Sequence, residues 1–338
     1  MIVDSSLVRG VRPSIFVLGA LAVFAAGLAG VIFGPARLPI DQVLTALLDG
    51  LPLISADHQL SSRQADILWD LRLPRVTLGA LVGAALSVCG AAYQGVFRNP
   101  LVDPYLLGVA AGAGLGATVA FAAGNAAIVP VAAFVGALGA VVLTYAIGNR
   151  VGDRAITSLV LAGVAVASFL TAAQTYLQQR SADDLRVVYS WILGRLGGGW
   201  GDVRLVLPYI AISAAVILLH RRLLDVLAVG DSEAQSLGVP VRRVRLLVVT
   251  AATLGTAAAV AVSGLIGFVG IIVPHAVRLL AGPSYRSTLP LSILFGAAFM
   301  VATDLAARSL ISPAELPIGV VTAFFGAPFF LALLRSKS

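Results

Sequence analysis

Apolar residues in this chain run in long unbroken stretches, and polar residues collect in the short intervals between them. The stretches do not alternate with the period of a transmembrane barrel strand; at about 20 residues each they are long enough to cross a bilayer as helices. Ten can be placed, at 14–34, 76–97, 105–123, 126–147, 155–177, 203–219, 244–262, 264–281, 288–307 and 317–334. The pairs 105–123/126–147 and 244–262/264–281 are so close in sequence that each predicts a tight hairpin. The largest polar intervals, 35–75 and 178–202, are too small for a soluble domain. The pattern predicts an all-α polytopic membrane protein with one transmembrane domain spanning 1–338.

One polar interval carries more information than the rest. Residues 230–240 lie between Arg221 and Arg222 on one side and Arg242, Arg243 and Arg245 on the other. Ser232 with Gln235 three residues later has the spacing of a capping box, and Asp231 and Glu233 put negative charge at the positive end of a helix. Gly238 suits a left-handed stop, and Pro240 prevents the helix from resuming. Ala234 and Leu237 are expected to share its small apolar face. A docking helix for another protein and a simple connector both fit this pattern. A second short stretch, 188–200, is apolar and aromatic but cannot cross; it predicts an interfacial or external short helix with Trp191 and Trp200 near the headgroups.

Composition sharpens the membrane reading: 59% of residues are hydrophobic and only 12% charged. The 35 glycines favour close helix contact, notably Gly108, Gly112 and Gly116 in the third span and Gly79 and Gly83 in the second. A net charge of +7 in such a chain points to arginine-marked loops rather than to nucleic acid. With the amino terminus inside, Arg9, Arg12, Arg98, Arg150, Arg154, Arg221, Arg222, Arg242, Arg243, Arg245, Arg278, Arg286, Arg335 and Lys337 fall on the cytoplasmic side, 14 residues against 9 outside. This places both termini and the 225–240 loop, between spans six and seven, in the cytoplasm. Arg9 and Arg12 precede the first apolar run as in a signal peptide, yet that run is long enough to span and lacks a clear cleavage site; it reads as a retained helix.

Several chemistries find no support. Lys337 is the sole lysine, so no phosphate loop of the Gly-x-x-x-x-Gly-Lys type exists. Cys89 is the sole cysteine, and His58, His220 and His275 are scattered, so neither a disulfide nor a metal-binding motif is present. Among charges inside spans, Asp304 and Arg308 stand four apart in the order that favours mutual neutralisation. Pro274 must free a backbone carbonyl, and His275 beside it is a candidate to satisfy that gap, which makes it a structural histidine. A stand-alone proton-coupled transporter would need a path of intramembrane acids, and an intramembrane enzyme a catalytic cluster.

A resemblance covers the chain from about residue 70 onward. Leu71-Arg72-Leu73-Pro74-Arg75, Gln94-Gly95-Val96-Phe97-Arg98-Asn99-Pro100-Leu101, Leu107-Gly108-Val109, the 230–240 loop, the 267–280 segment and Glu315-Leu316-Pro317-Ile318-Gly319 follow in this order. Together they resemble the permease family of ATP-binding-cassette importers for iron-siderophore complexes, haem and cobalamin. The resemblance implies a ten-helix subunit of the inner membrane, paired with a second permease chain as a homodimer. It also implies two cytoplasmic ATPase subunits that bind ATP and Mg, and an extracytoplasmic binding protein; this chain itself would be neither an enzyme nor a cofactor carrier. It assigns ATPase coupling to Glu233, Ala234, Leu237 and Gly238. Outward-facing Arg72, Arg75 and Arg308 would dock the binding protein, where arginine suits bidentate pairing with carboxylates; read without the resemblance, Arg72 and Arg75 are ordinary interfacial anchors. Thr157 and Ser158 would lie at the inner gate. Neither 178–204 nor the span faces distinguish among the three cargoes.

Overall fold

A computed structural model describes residues 13–50, 59–148, 155–180 and 185–335. Arg9, Arg12, His58, Arg150, Arg154 and Lys337, used above, lie outside those residues. The described chain is helical, in the order α1 (Pro13–Ile32), α2 (Ile40–Asp49), α3 (Ser62–Asp66), α4 (Leu73–Phe97), α5 (Val109–Ala122), α6 (Val129–Gly148), α7 (Ala155–Arg180) and α8 (Leu185–Ile192). There follow α9 (Trp200–Leu219), α10 (Arg221–Val229), α11 (Asp231–Ser236), α12 (Val241–Ser263), α13 (Val269–Ala281), α14 (Tyr285–Ser309) and α15 (Ile318–Arg335). Seven helical runs are long and apolar enough to cross a membrane, and three shorter apolar helices (α5, α13 and the described apolar part of α15) complete the ten predicted stretches. The second begins earlier than expected: α3 passes through a π-turn at Ile67–Arg72 straight into α4, giving one 36-residue helix from Ser62 to Phe97.

Helices α4 and α12 form the buried centre, while α1, α6, α7 and α9 expose most of their apolar surface. Helix α4 packs on α9, α12, α13 and α14. Glycine makes the closest contacts possible: a Cβ on Gly83 would overlap the Gly296 carbonyl of α14, and one on Gly112 or Gly116 would overlap the backbone of α6 at Gly136 or Ala132. The α5/α6 hairpin therefore forms as predicted. The α12/α13 pair does not; α12 packs on α4, α6 and α9, whereas α13 packs on α4, α14 and α15.

The reason lies in the break at 264–268. Helix α13 has only 13 residues, about 20 Å, less than the roughly 30 Å hydrocarbon core, so a crossing that uses it must put irregular backbone at membrane depth. Backbone is tolerated there only where protein satisfies it. The Tyr105 hydroxyl donates to the Ile266 carbonyl (2.9 Å) and accepts from the Ile266 N–H (3.1 Å), while the Arg195 N–H donates to the Ser263 carbonyl (2.8 Å). Pro274 frees the carbonyl of Gly270, four residues earlier, and Gln94 of α4 donates to it (2.9 Å). Gln94 in turn accepts from Arg278. His275 packs edge-on against Phe329, with ring centroids 5.9 Å apart.

The 188–200 segment also differs from expectation. Trp191 is buried in protein rather than set in headgroups, because α8 turns its apolar side inward. Trp200 is half-buried and donates from its indole nitrogen to the Trp69 carbonyl (2.8 Å).

Candidate functional site

Two polar clusters occupy opposite ends of α4. Arg75 sits near its start and Arg98 at its end, 23 residues or about 34 Å apart along the helix.

At the first end the three candidate arginines take different roles. Helix α1 ends without a basic residue in its last turn, leaving carbonyls with no intrahelical partner. Arg72 supplies the missing donors to Val31 (2.7 Å), Ile32 (2.7 Å) and Ala36, and Arg308 to Gly30. Both guanidinium groups stand at the negative end of the α1 dipole. They are buried in the single chain: Arg72, from the π-turn before α4, and Arg308, from α14, serve as C-terminal caps of α1. Only Arg75 reaches the surface, at 18% side-chain exposure.

Arg75 is held by two carboxylates. Its Nε and Nη2 donate to Asp304 Oδ1 at 3.0 and 2.8 Å, and Nη1 and Nη2 donate to the two oxygens of Glu315 at 2.9 Å each. Asp304 is 2% exposed, whereas Glu315 is 44% exposed. The expected Asp304–Arg308 pair is present: Arg308 Nε lies 3.3 Å from Asp304 Oδ2. That contact lacks hydrogen-bond alignment, so the attraction is coulombic. Asp304 thus balances two arginines at once. Sequence reasoning missed Glu315 as a partner of Arg75. The available signal was topological, since the turn after the ninth span must return to the end of the bundle where the second span begins.

At the other end, α11 forms where the polar interval predicted a helix, with different capping. Ser232 donates to Glu233 rather than bonding back to the chain, and the N-cap is Gly230 without a side-chain bond, so no capping box forms. Glu233 folds back over Gly230 instead. A hydrogen bond from its own backbone N–H, and a second from Ser232, hold the Glu233 carboxyl below the ordinary glutamate range. The stop is the expected one: Gly238 is left-handed (φ 80°), with its N–H donating to Gln235 (2.9 Å) and that of Val239 to Ala234 (3.0 Å), a complete Schellman pair. Ala234 and Leu237 do not share a face. Ala234 is fully buried, whereas Leu237, past the last turn, is 71% exposed.

The surrounding helices hold this short element in place. Asp231 accepts from Arg245 of α12 (3.0 Å to each oxygen) and lies 3.7 Å from Arg98, the left-handed cap of α4. On the preceding α10, Asp225 accepts from the Ser284 hydroxyl (2.9 Å) and the Tyr285 N–H (2.6 Å) at the start of α14. The ends of α4, α12 and α14 are therefore all tied to the 225–240 segment. The predicted gate residues begin α7, Thr157 exposed and Ser158 buried.

Comparison with known proteins gives a consistent result. The sequence pattern of the FecCD transport family matches residues 16–336. The cobalamin import system permease protein BtuC of Halobacterium salinarum is 45% identical over 274 residues, covering 80% of this chain and 74% of the relative. The hemin transport system permease protein HmuU of Yersinia pestis is 39% identical over 290 residues, covering 80% and 84% respectively. A solved inward-facing structure assigned to the metal-chelate type of ABC transporter superposes with a TM-score of 0.85 at 29% identity, over 96% of this chain and all of that one.

Proposed function

The chain belongs to the FecCD transport family, a family of transport permease components, and we propose that it is the membrane subunit of an ATP-driven importer for a metal chelate such as an iron-siderophore complex, haem or cobalamin. Relatives named for cobalamin and hemin transport support this cargo class. In this reading two copies pair in the cytoplasmic membrane with their termini inside, and two ATPase subunits, which bind ATP and Mg, dock at α11. A binding protein delivers cargo at the Arg75 end. Thr157 and Ser158 line the inner gate.

The observation that carries the proposal is the α11 end. An exposed leucine on a firmly capped turn is an apolar contact offered to a partner; ion pairs from Asp231 tie that turn to α4 and α12, and hydrogen bonds to Asp225 tie the preceding α10 to α14. Displacement of α11 by an ATPase is thereby passed to α4, α12 and α14. Glu233, Ala234, Leu237 and Gly238 divide the work. Leu237 makes contact, Ala234 seats the turn, Gly238 ends it, and Glu233 stabilises its start. The buried Asp304, already balanced by Arg75 and Arg308, is poorly suited to carry protons.

The test is purification of the tagged chain from its native host in mild detergent, followed by reconstitution of whatever co-purifies into vesicles. Recovery of an ATPase and a binding protein, with chelate uptake that requires ATP, is the expected result. Uptake by the chain alone, following a proton gradient, would replace this reading with a secondary transporter.

A further inference from the structure

Of the five N–H groups of Arg75, four are engaged, and the two carboxylates divide them unequally. Asp304 takes the inner edge from within the bundle. Glu315 takes the outer fork, the Nη1/Nη2 pair, from the more exposed side, in the parallel two-bond arrangement that a carboxylate from another protein would adopt. Glu315 is also the more easily released partner. Its side chain is already 44% exposed, so letting go exposes little that water does not already reach. The turn around it does not depend on the side chain: Leu316 N–H bonds to Ala307 (2.9 Å), Ile318 N–H to Gly194 (3.0 Å) and Gly319 N–H to Leu193 (2.9 Å).

We propose that Glu315 is an exchangeable internal stand-in on the docking arginine, displaced when a carboxylate of the binding protein takes the outer fork of Arg75. The inference rests on the docking role of this end of the molecule. It adds a positioning residue that weakens docking and keeps the guanidinium oriented between deliveries. Asp304 remains in place throughout and fixes the plane of the fork. Exchange also has an electrostatic signature. In the wild-type chain one ion pair replaces another, so the number of pairs at this point is unchanged and salt affects docking there only weakly. Without the Glu315 charge, docking creates a new pair and becomes more salt-sensitive.

The experiment measures affinity of the co-purified binding protein for the full complex in lipid nanodiscs, at several salt concentrations, for Arg75→Gln, Glu315→Gln and Glu315→Asp. Glu315→Gln is expected to bind about two- to fivefold tighter at low salt, the range for a partly exposed pair, with a steeper salt dependence. Glu315→Asp, which keeps the charge, should stay close to wild type. Arg75→Gln should lose most of the affinity. If Arg75→Gln binds normally, the docking reading itself falls, and the stand-in with it. If Arg75→Gln fails while Glu315→Gln binds more weakly, or with unchanged affinity and salt slope, docking stands and the stand-in is wrong.

Discussion

At the scale of single residues, Asp304 is the most consequential side chain at the Arg75 end. It is buried between two arginines, and removing its charge leaves both cations in a medium that penalises them. Asp304→Asn is expected to destabilise the folded chain by about 3–5 kcal/mol, seen as a marked drop in the thermal midpoint in detergent. Replacing Arg308 with Met in the same chain should recover part of the loss, since one stranded charge is gone. An additive double variant would show that the two residues act independently. Legibility in sequence was uneven at this scale. The Asp304–Arg308 spacing announced its pair because a helix brings residues four apart together. The roles of Arg72 and Gln94 were hidden, because each serves a carbonyl on a helix distant in sequence, and nothing local records which carbonyls a fold leaves bare.

Element by element, the apolar stretches were legible because a bilayer demands length and hydrophobicity and little else. Which neighbours they choose was legible only in part. Short separation predicted the α5/α6 hairpin, and Gly112 and Gly116 supply its close approach, where a side chain has nowhere to go. Gly112→Val should lower stability by at least the roughly 1–3 kcal/mol typical of overpacking, measured by thermal unfolding in detergent, while Gly139→Val on the open side of α6 should have little effect. The α12/α13 pair shows the limit of such reading. Short separation suggested a hairpin, but the break at 264–268, satisfied by Tyr105, sends α13 to α14 and α15 instead. The α11 helix was found from its polar residues and its glycine stop. Its actual cap, and the outward turn of Leu237, depend on φ at Gly230 and on the last residue leaving helical geometry.

At the scale of the whole molecule, α4 runs from the cluster around Arg75 to the one around Arg98 and Asp231, so one rigid element meets both ends. Leu237→Asp tests whether force enters at the α11 end. The variant is expected to insert and fold normally, since the side chain is exposed, yet to fail to retain the ATPase in pull-down and to lose uptake. Normal uptake in that variant would remove α11 from the coupling route. The arginine caps on α1 carry a different implication, one of timing during biosynthesis. Gly30 waits for Arg308, 278 residues further along the chain, which at 5–20 residues per second is on the order of 15–55 s of translation. Until then α1 has only the part of its cap that Arg72 supplies, and the Gly30 carbonyl must rely on water or headgroups, so a chain halted before α14 holds its first described helix less firmly than a finished one.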